Sequence, residues 1–514
     1  MMAEVVLRRA VVADAALLRR WDRDPGVIAA TTDDPGAEVA FENTDWAQEI
    51  AGDCDANYHV IAEVDGRPIG AVRICDPHRE HTHFWGDIGP GLRALDIWIG
   101  DAADRGCGFG TEMMYLAHDL CFADDAVTAI VLDPLESNAE ARRFYRRLGY
   151  VDAGMHVFGD GNTEQIMRRD RRPIDGRAAI RSRPALSDDT APVPADMVAA
   201  WRDRGAVVVS QLLPEDRLRE LRAASVADLG PIDPDAPGDF GSGGRFVFPS
   251  ECEAFNHITL HPRLLAAVAQ LLGTEVRDLR LTQSDLWVKH GRTRSTDDPF
   301  DNDDQRMHVD YPNHSLVHPP AWQSPEAVEV IVYLDRALDC DGSTCIVLRD
   351  APDDPAYRRP IVDTPGVGVH EWINARASAE AHFERVDPDV AAFRAALYQR
   401  ERPIDYVFGD VLLYRHDTWH RGTPVRPGTS RVAHNLAFRR ADADWISTVH
   451  EGWAWSMYRR SRVMETLIAT LSVDQRCVLG FPAPGHRYWT PDTLAAVAAR
   501  YGPLGFDPSE YHNS

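Results

Sequence analysis

The feature that most constrains the fold is a polar interruption about one third of the way along the chain. Residues 168–194 read RRDRRPIDGRAAIRSRPALSDDTAPVP and show no sustained helical or strand period of apolar residues. Segments of this kind typically connect domains, and 514 residues exceed the usual size of one domain. We therefore predict a domain over residues 1–172, a linker over 173–194 and a second domain over 195–514.

The charge balance restricts the partners of the chain. There are 80 acidic and 55 basic residues, which gives a formal net charge of −25. Nucleic acid is a poor partner for such a chain, because affinity for it depends on Lys and Arg that neutralise phosphates. No segment is apolar enough to suggest a membrane span or a signal peptide, and the eight cysteines contain no C-x-x-C pair. We expect a cytoplasmic protein with reduced thiols; its oligomeric state is not predicted.

The first domain alternates strand and helix patterns. Residues 59–64 and 68–74 are apolar and flank Asp65-Gly66, which is the usual signal for a β-hairpin. Further strands are predicted near 94–100 and 129–134, and helices near 110–122 and 138–148. This order predicts a mixed α/β domain.

A glycine-rich turn stands between a predicted strand and a predicted helix. Arg105, Gly108 and Gly110 form an R-x-x-G-x-G pattern. Glycines let the backbone approach an anion, and the amides at a helix N-terminus point toward it. A dinucleotide-binding turn follows the same rule, and acidic residues also stand at the distance that such a fold requires.

The next helix favours one interpretation of this turn. Asn138, Ala141, Tyr145, Gly149 and Tyr150 are spaced as N-x-x-A-x-x-x-Y-x-x-x-G-Y. Together the two patterns resemble the GNAT superfamily of N-acetyltransferases over roughly residues 4–170, and within it the aminoglycoside 6'-N-acetyltransferases. The resemblance implies an α/β GNAT fold that transfers an acetyl group from acetyl-CoA to a small-molecule amine.

The same resemblance implies roles for individual residues. Tyr145 would protonate the leaving thiolate; the alternative is a core tyrosine of an amphipathic helix. Asp96 and Asp133, with Asp87 as a further candidate, would bind or deprotonate the amine; the alternative is solvated surface carboxylates. The residues implied to bind acetyl-CoA are Ile97, Trp98, Ile99, Arg105, Gly106, Gly108, Gly110, Thr111 and Asn138.

The second domain is richer in short strands. It opens with a helix that ends at Gly205 and a strand from Ala206, and helices near 215–228 and 262–272 follow. Strands are then predicted over 279–290, 328–335, 343–349, 410–416 and 431–440, with a helical tail over 445–500. Many short strands separated by turns predict a sandwich or barrel of jelly-roll type.

A His-x-Asp pair marks a candidate metal site in this domain. His308 and Asp310 would project to one face of a strand and bind one metal ion. The spacing alone is not specific, because His78/Glu80 and His382/Glu384 share it. Context distinguishes the pair: His420 follows a Gly-Asp turn and a strand, and Arg431 comes eleven residues later.

This arrangement, with the opening segment WRDRGAVVVSQLL, resembles the phytanoyl-CoA dioxygenase family of iron(II)- and 2-oxoglutarate-dependent oxygenases over about residues 195–445. The resemblance implies a double-stranded β-helix (jelly-roll) fold with flanking helices. It also implies that His308, Asp310 and His420 bind iron, with His416 as the rival distal ligand, and that Arg431 pairs with 2-oxoglutarate.

Lys289 is the single lysine of the chain. It lies in QSDLWVKHG, at a place where the same family often carries a basic residue near the co-substrate, and we assign it to 2-oxoglutarate on that resemblance. The alternative is a lysine that extends along the surface, and an acidic loop over 291–307 makes the alignment of this position less direct.

Together the two resemblances predict a bifunctional enzyme that acetylates and oxidises the same or a related natural product, such as an aminoglycoside. Two alternatives stay open. In the first, the acetyltransferase provides self-resistance while the oxygenase acts independently. In the second, one domain is a non-catalytic binding module.

Overall fold

The computed structural model describes residues 5–42, 44–80, 84–157, 162–229, 246–292, 297–318, 324–351, 353–357, 364–446 and 463–511. The chain divides into two compact units, Met1–Ala178 and Ala179–Ser514. Within the described ranges, no helix has both the length and the apolar character that crossing a bilayer requires.

The N-terminal unit is built on a seven-stranded sheet with the order β1-β2-β3-β4-β5-β7-β6. Its strands are β1 (Val5–Arg9), β2 (Asn57–Val64), β3 (Arg67–Cys75), β4 (Leu92–Ile99), β5 (Ala129–Leu132), β6 (Val151–Val157) and β7 (Thr163–Asp170). Its helices are α1 (Ala15–Trp21), α2 (Pro25–Thr31), α3 (Trp46–Ala51), α4 (Phe109–Phe122) and α5 (Ala139–Arg147).

Local sequence explains the central hairpin and its packing. Asp65 and Gly66 have φ values of 50° and 73°, the left-handed conformations that a two-residue hairpin turn requires. Alternate residues of β2 then enter two different apolar clusters, one with α4 and one with α1 and α3. Helices therefore cover both faces of the sheet.

One strand pair positions the candidate site of this unit. β4 and β5 are parallel, and their ladder joins Leu92–Ala94 to Ala129–Val131. β4 continues to Ile99, so its last five residues extend past the end of the ladder. Backbone groups beyond a ladder are placed to pair with another extended chain.

The C-terminal unit contains a six-stranded sheet with the order β10-β16-β11-β14-β9-β8 and a three-stranded sheet with the order β13-β12-β15. The strands are β8 (Arg183–Pro184), β9 (Ala206–Ser210), β10 (Leu279–His290), β11 (Ala327–Tyr333), β12 (Thr344–Ile346), β13 (Arg402–Pro403), β14 (Val411–Arg415), β15 (His420–Gly422) and β16 (Ser430–Arg440).

The helices of this unit are α6 (Ala195–Arg204), α7 (Glu215–Leu229), α8 (Glu253–Thr259), α9 (Pro262–Leu272), α10 (Tyr311–His314), α11 (Ala337–Cys340), α12 (Arg376–Val386), α13 (Pro388–Arg400), α14 (Val463–Thr470), α15 (Val473–Val478) and α16 (Pro491–Tyr501). The main core packs α6, α8 and α9 on one face of the six-stranded sheet, through residues such as Val330, Leu413 and Leu436. A second cluster joins the other face to the three-stranded sheet, through Val208, Leu412 and Ile346.

Two segments differ in detail from the sequence prediction, and a third lies partly outside the described residues. Residues 173–194, predicted as a linker, contribute β8, which pairs in parallel with β9. His308 lies in a single β-bridge rather than a strand, because Asp310 already adopts a right-handed helical conformation as the N-cap of α10. In the predicted tail, α14, α15 and α16 are described, and residues 447–462 lie outside the described part.

Candidate active sites

The glycine-rich turn of the N-terminal unit leads directly into α4. Gly106 and Gly108 have φ values of 74° and 86°, a region that residues with a Cβ rarely adopt. Gly108 is the N-cap of α4, so Gly110 and Thr111 lie in its first turn. The first amides of a helix have no partner within it and favour an anion. The turn therefore has the backbone geometry that an anion site requires.

Arg105 holds this turn against the end of β4. Its Nη2 atom donates to the carbonyl oxygen of Gly100 at 2.8 Å, and its Nε atom donates to that of Ile99 at 3.3 Å. It also forms an ion pair with Asp24. In this structure the guanidinium group therefore positions the loop, rather than standing free for a phosphate.

The side chains at the end of β4 pack inside the domain, so the backbone is the part of this segment that a ligand can contact. The Trp98 ring packs against Phe41 and Trp46, with ring centroids 5.1 Å and 5.9 Å away. Ile97 and Ile99 pack against the core cluster on the opposite face. Asn138, another residue implied to bind acetyl-CoA, caps α5. Its side chain accepts a hydrogen bond from the Ala141 amide at 3.0 Å.

Tyr145 lies on α5, half-buried beside Phe144 and Tyr150. Burial raises the pKa of the Tyr145 phenol well above its ordinary value, and the carboxylates of Asp96 and Asp133 raise it further. The hydroxyl group is therefore protonated at neutral pH and can act as an acid.

Three carboxyl groups form an acidic site near this tyrosine. Burial raises the pKa of Asp133 well above its ordinary value, and Asp96 and Glu164 add to the shift. Asp133 also shares a hydrogen bond with Glu164, a buried residue of β7. Asp96 forms a longer ion pair with Arg73, at 3.6 Å. Asp87, the further candidate, is exposed.

The C-terminal unit brings His308, Asp310 and His420 together. One ligand atom from each residue lies within 4.8 Å of the others, and all three residues are buried. The Nε2 atoms of His308 and His420 are 3.6 Å and 3.3 Å from the Asp310 carboxylate. Reciprocal backbone hydrogen bonds of 2.9 Å and 2.8 Å fix the two histidines side by side.

Backbone carbonyls set the tautomer of both histidines. The Nδ1 atom of His308 lies 3.1 Å from the Arg306 oxygen, and that of His420 lies 3.0 Å from the Thr418 oxygen. A carbonyl oxygen only accepts, so each Nδ1 atom carries a proton, and Nε2 is the atom of each ring that can bind a metal when the imidazole is neutral. Metal-binding histidines are commonly oriented in this way.

Electrostatics keep Asp310 ionised. Burial opposes ionisation, but the positive charge and the hydrogen bond of protonated His420, with a smaller contribution from His308, outweigh it and hold the pKa of Asp310 below its ordinary value. The Tyr414 hydroxyl donates to the same carboxylate at 2.7 Å. Burial lowers the pKa of His308 well below its usual range, which favours the neutral form that binds metals.

His416, the alternative distal metal ligand, contacts Asp310 through its backbone. Its carbonyl oxygen accepts hydrogen bonds from the Asp310 and Tyr311 amides, at 3.0 Å and 2.9 Å. Among the described residues, the group that could hold a metal contains His420 and not His416.

Two basic side chains, Lys289 and Arg431, line the same cavity as His308, Asp310 and His420. Lys289 and Arg431 are paired across β10 and β16. Arg431 donates to the Gly342 oxygen at 2.5 Å, while its buried Nε atom has no hydrogen-bond partner among the described residues. The Lys289 ammonium donates to the carbonyl oxygens of Thr423, at 2.8 Å, and Asp303.

Comparison with known proteins identifies the N-terminal unit. Residues 10–158 match the family described as an acetyltransferase (GNAT) domain. Over 99 residues the chain is 32% identical to the kanamycin resistance protein of Rhizobium radiobacter, a match that covers 18% of this chain and 92% of that protein. Through this unit, the chain belongs to the GNAT acetyltransferase family.

Other relatives of the GNAT domain share less of their length. The chain is 32% identical over 119 residues to the aminoglycoside N(6')-acetyltransferase type 1 of Serratia marcescens, which covers 22% of this chain and 59% of that protein. The chain therefore spans 59% of the length of this relative. A solved structure of AAC(6')-Ib with ribostamycin and coenzyme A is 26% identical, with 33% of this chain and 94% of that chain covered and a TM-score of 0.29.

Sequence reasoning missed several residues of the two sites. In the GNAT domain it missed Glu164, which reads as an ordinary polar position of a strand. In the C-terminal unit it missed Tyr414 and the buried cavity residues Glu329 and His314. The one available signal was an acidic residue inside the apolar run AVEVIVY of β11.

Proposed function

We propose that the GNAT domain transfers an acetyl group from acetyl-CoA to an amino group of an aminoglycoside-like substrate. The observation that carries this proposal is the acidic site of Asp96, Asp133 and Glu164, close enough to Tyr145 for two of its carboxylates to raise the tyrosine pKa. The kanamycin resistance protein and the aminoglycoside acetyltransferase among the relatives support this substrate class.

Each part of the site has a role in this reaction. The amides of the 105–111 turn face the pyrophosphate, and the backbone of residues 97–99 pairs with the pantetheine arm. The acidic site binds the substrate ammonium and takes up the proton that the nitrogen must lose before it attacks the thioester carbonyl. As the carbon–sulfur bond breaks, the Tyr145 hydroxyl protonates the leaving thiolate.

We predict that Asp133→Asn raises the KM for kanamycin about 10- to 100-fold, because a hydrogen bond to a charged group contributes about 1.5–3 kcal/mol. Release of free CoA from acetyl-CoA measures the reaction. The matched control is Asp87→Asn, which makes the same substitution at an exposed position. If no member of a panel of aminoglycosides, polyamines and amino acids gave CoA release, the proposal would be wrong.

We further propose that the C-terminal unit is an iron(II)- and 2-oxoglutarate-dependent oxygenase of the phytanoyl-CoA dioxygenase type. Two sheets with an apolar cluster between them fit a double-stranded β-helix. The observation that carries the proposal is the buried group of two imidazoles and one carboxylate. This donor set is typical of non-haem iron(II) oxygenases.

The residues of the cavity fit both iron(II) and 2-oxoglutarate. Two Nε2 lone pairs and the Asp310 carboxylate would hold iron(II), with Nδ1 of each histidine already engaged. Iron(II), when bound, supplies the open coordination positions for a keto acid and oxygen. The unpartnered Nε atom of Arg431 and the nearby Lys289 ammonium fit the distal carboxylate of 2-oxoglutarate.

Lys289 gives this proposal a pH dependence. Burial, and then Arg431, lower the pKa of Lys289 to about 7. Below that pH the ammonium is charged and attracts a dicarboxylate, and above it the amine is neutral. We therefore expect the Kd for 2-oxoglutarate to rise between about pH 6 and pH 8.5 in the iron-loaded protein, as measured by calorimetry.

Variants of Lys289 test this dependence. Lys289→Ala is expected to weaken 2-oxoglutarate binding about 10-fold at low pH and to remove the pH effect, because charge-assisted hydrogen bonds contribute about 1.5 kcal/mol or more. Lys289→Arg stays charged over this range and should show no comparable rise in Kd. Equal Kd values for the wild type and Lys289→Ala at low pH would show that the lysine is only structural.

The two activities in one chain suggest a bifunctional tailoring enzyme that acts on an amine-bearing natural product. The name of the Rhizobium radiobacter relative favours a second candidate, in which acetylation serves resistance and oxidation is independent. Assay of each activity with the acetylated and the free amine distinguishes them. A shared pathway requires that one unit accept the product of the other.

A further inference from the structure

The cavity of the C-terminal unit has two chemically different ends. Its floor is one face of the six-stranded sheet, where Lys289 pairs with Arg431 and Ile331 pairs with Asn435. All four residues line the cavity. Arg431 and Asn435 are four residues apart on one strand, so they are separated by about 13 Å along it. The cavity is therefore basic at the end near Lys289 and Arg431, and its lining is no longer basic at the end near Ile331 and Asn435.

The far end presents hydrogen-bond acceptors. Glu329, on the neighbouring strand β11, is 3% exposed, and its Oε1 atom has no partner among the described residues. The Oδ1 atom of Asn435 is likewise buried and unpartnered within the described part of the chain. Since Glu329 pairs with Ala437 and Asn435 with Ile331, both side chains leave the sheet on the same face.

Unpartnered buried acceptors indicate a missing donor. Leaving such an atom unpaired is destabilising, and more so for a charged group, so natural structures rarely keep two of them together. A nearby glutamate provides the comparison. Glu326 stands just before this strand and accepts a hydrogen bond from the Trp445 ring nitrogen at 3.1 Å. Glu329 faces the cavity instead.

The required donor has a definite chemistry. A carboxyl oxygen and an amide oxygen accept hydrogen bonds, and the carboxyl group also favours a positive charge when it is ionised. An ammonium group supplies three donors and that charge in one small group. A second dicarboxylate would be repelled here, whereas the basic end at Arg431 and Lys289 fits one.

We propose that Glu329 and Asn435 form a subsite that binds an ammonium group of the substrate oxidised by the C-terminal unit. This inference rests on the proposed oxygenase function and extends it by naming the substrate class, a compound that carries a primary amine. The reacting carbon then lies between the amine subsite and the three metal-binding side chains. The class matches the amines proposed for the GNAT domain.

The test counts the binding sites for one probe, kanamycin. The full chain is first loaded with iron(II) and 2-oxoglutarate, and oxygen is excluded so that no reaction occurs. Calorimetry should show two kanamycin sites in the wild type, one for each unit. Glu329→Gln should weaken one of them by at least about 30-fold, the effect of removing one partner of a buried charge pair, while Asp133→Asn weakens the other. Asn435→Ala should weaken the same site as Glu329→Gln.

Two controls keep a structural effect apart from a binding effect. Glu326→Gln removes a half-buried carboxylate whose partner is Trp445, and it should leave both kanamycin sites intact. Glu329→Asp keeps a carboxyl group and should restore most of the affinity that Glu329→Gln loses. Each variant must bind 2-oxoglutarate with the wild-type Kd, which shows that the cavity is still folded.

The outcomes separate this inference from the function on which it rests. If the iron-loaded wild type does not bind 2-oxoglutarate, the proposed oxygenase function fails. If it binds 2-oxoglutarate but has a single kanamycin site, or two sites that Glu329→Gln leaves unchanged, the amine subsite is wrong and the oxygenase proposal stands.

Discussion

Replacement of His420 by alanine is expected to abolish iron(II) binding by the C-terminal unit and, with it, the release of succinate from 2-oxoglutarate. His420 places its Nε2 atom, the metal-binding atom of the ring, 3.3 Å from the Asp310 carboxylate. Loss of a group that only orients a metal ligand costs about 10- to 100-fold in affinity, so loss of the ligand itself should cost at least about 100-fold. Equilibrium dialysis of the full chain against iron(II) measures this directly.

His416→Ala is the matched control for this prediction. His416 is another buried histidine, four residues earlier, but it lies outside the group that could hold a metal among the described residues. The variant should keep iron(II) affinity within about threefold, although a cavity of this size can lower thermal stability. If His416→Ala lost iron(II) and His420→Ala kept it, the ligand assignment would be reversed.

Replacement of Tyr145 by phenylalanine is expected to lower the kcat of acetyl transfer about 100- to 10,000-fold, the usual contribution of a positioned acid. The KM for the amine should change little, because the substrate ammonium is bound by the carboxylates and not by the phenol. Initial rates of CoA release at saturating acetyl-CoA measure both constants.

Tyr150→Phe provides the comparison for Tyr145→Phe. The Tyr150 hydroxyl is 2.8 Å from the Nε2 atom of His118 within the core, so its loss should lower stability and leave kcat nearly unchanged. Equal losses of kcat in the two variants would show that Tyr145 has a packing role and that another group protonates the thiolate.

Much of the fold follows from local patterns. The predicted strand over 279–290 is β10 residue for residue, and the helix predicted over 262–272 is α9. The signal for α9 is strong, since this helix lies between a proline at its first turn and a left-handed glycine at its end. The Asp65-Gly66 hairpin is equally local.

The parts that could not be predicted depend on tertiary contacts. His308 and Asp310 were expected on a strand, but the chain turns into α10 at Asp310, and the backbone of His420 fixes the geometry. Glu164 and Glu329 belong to their sites only because distant strands bring them to Asp133 and Asn435. A single sequence shows that a polar residue is present, but it does not show which distant residue lies beside it in the fold.

The account holds that one chain carries two independent active sites, and one pair of assays tests this most directly. CoA release and succinate release are measured on the same preparations of the wild type, Tyr145→Phe and His308→Ala. The account predicts that Tyr145→Phe loses CoA release and keeps succinate release, and that His308→Ala does the reverse. Absence of succinate release from the iron-loaded wild type, or loss of both activities in either folded variant, would contradict it.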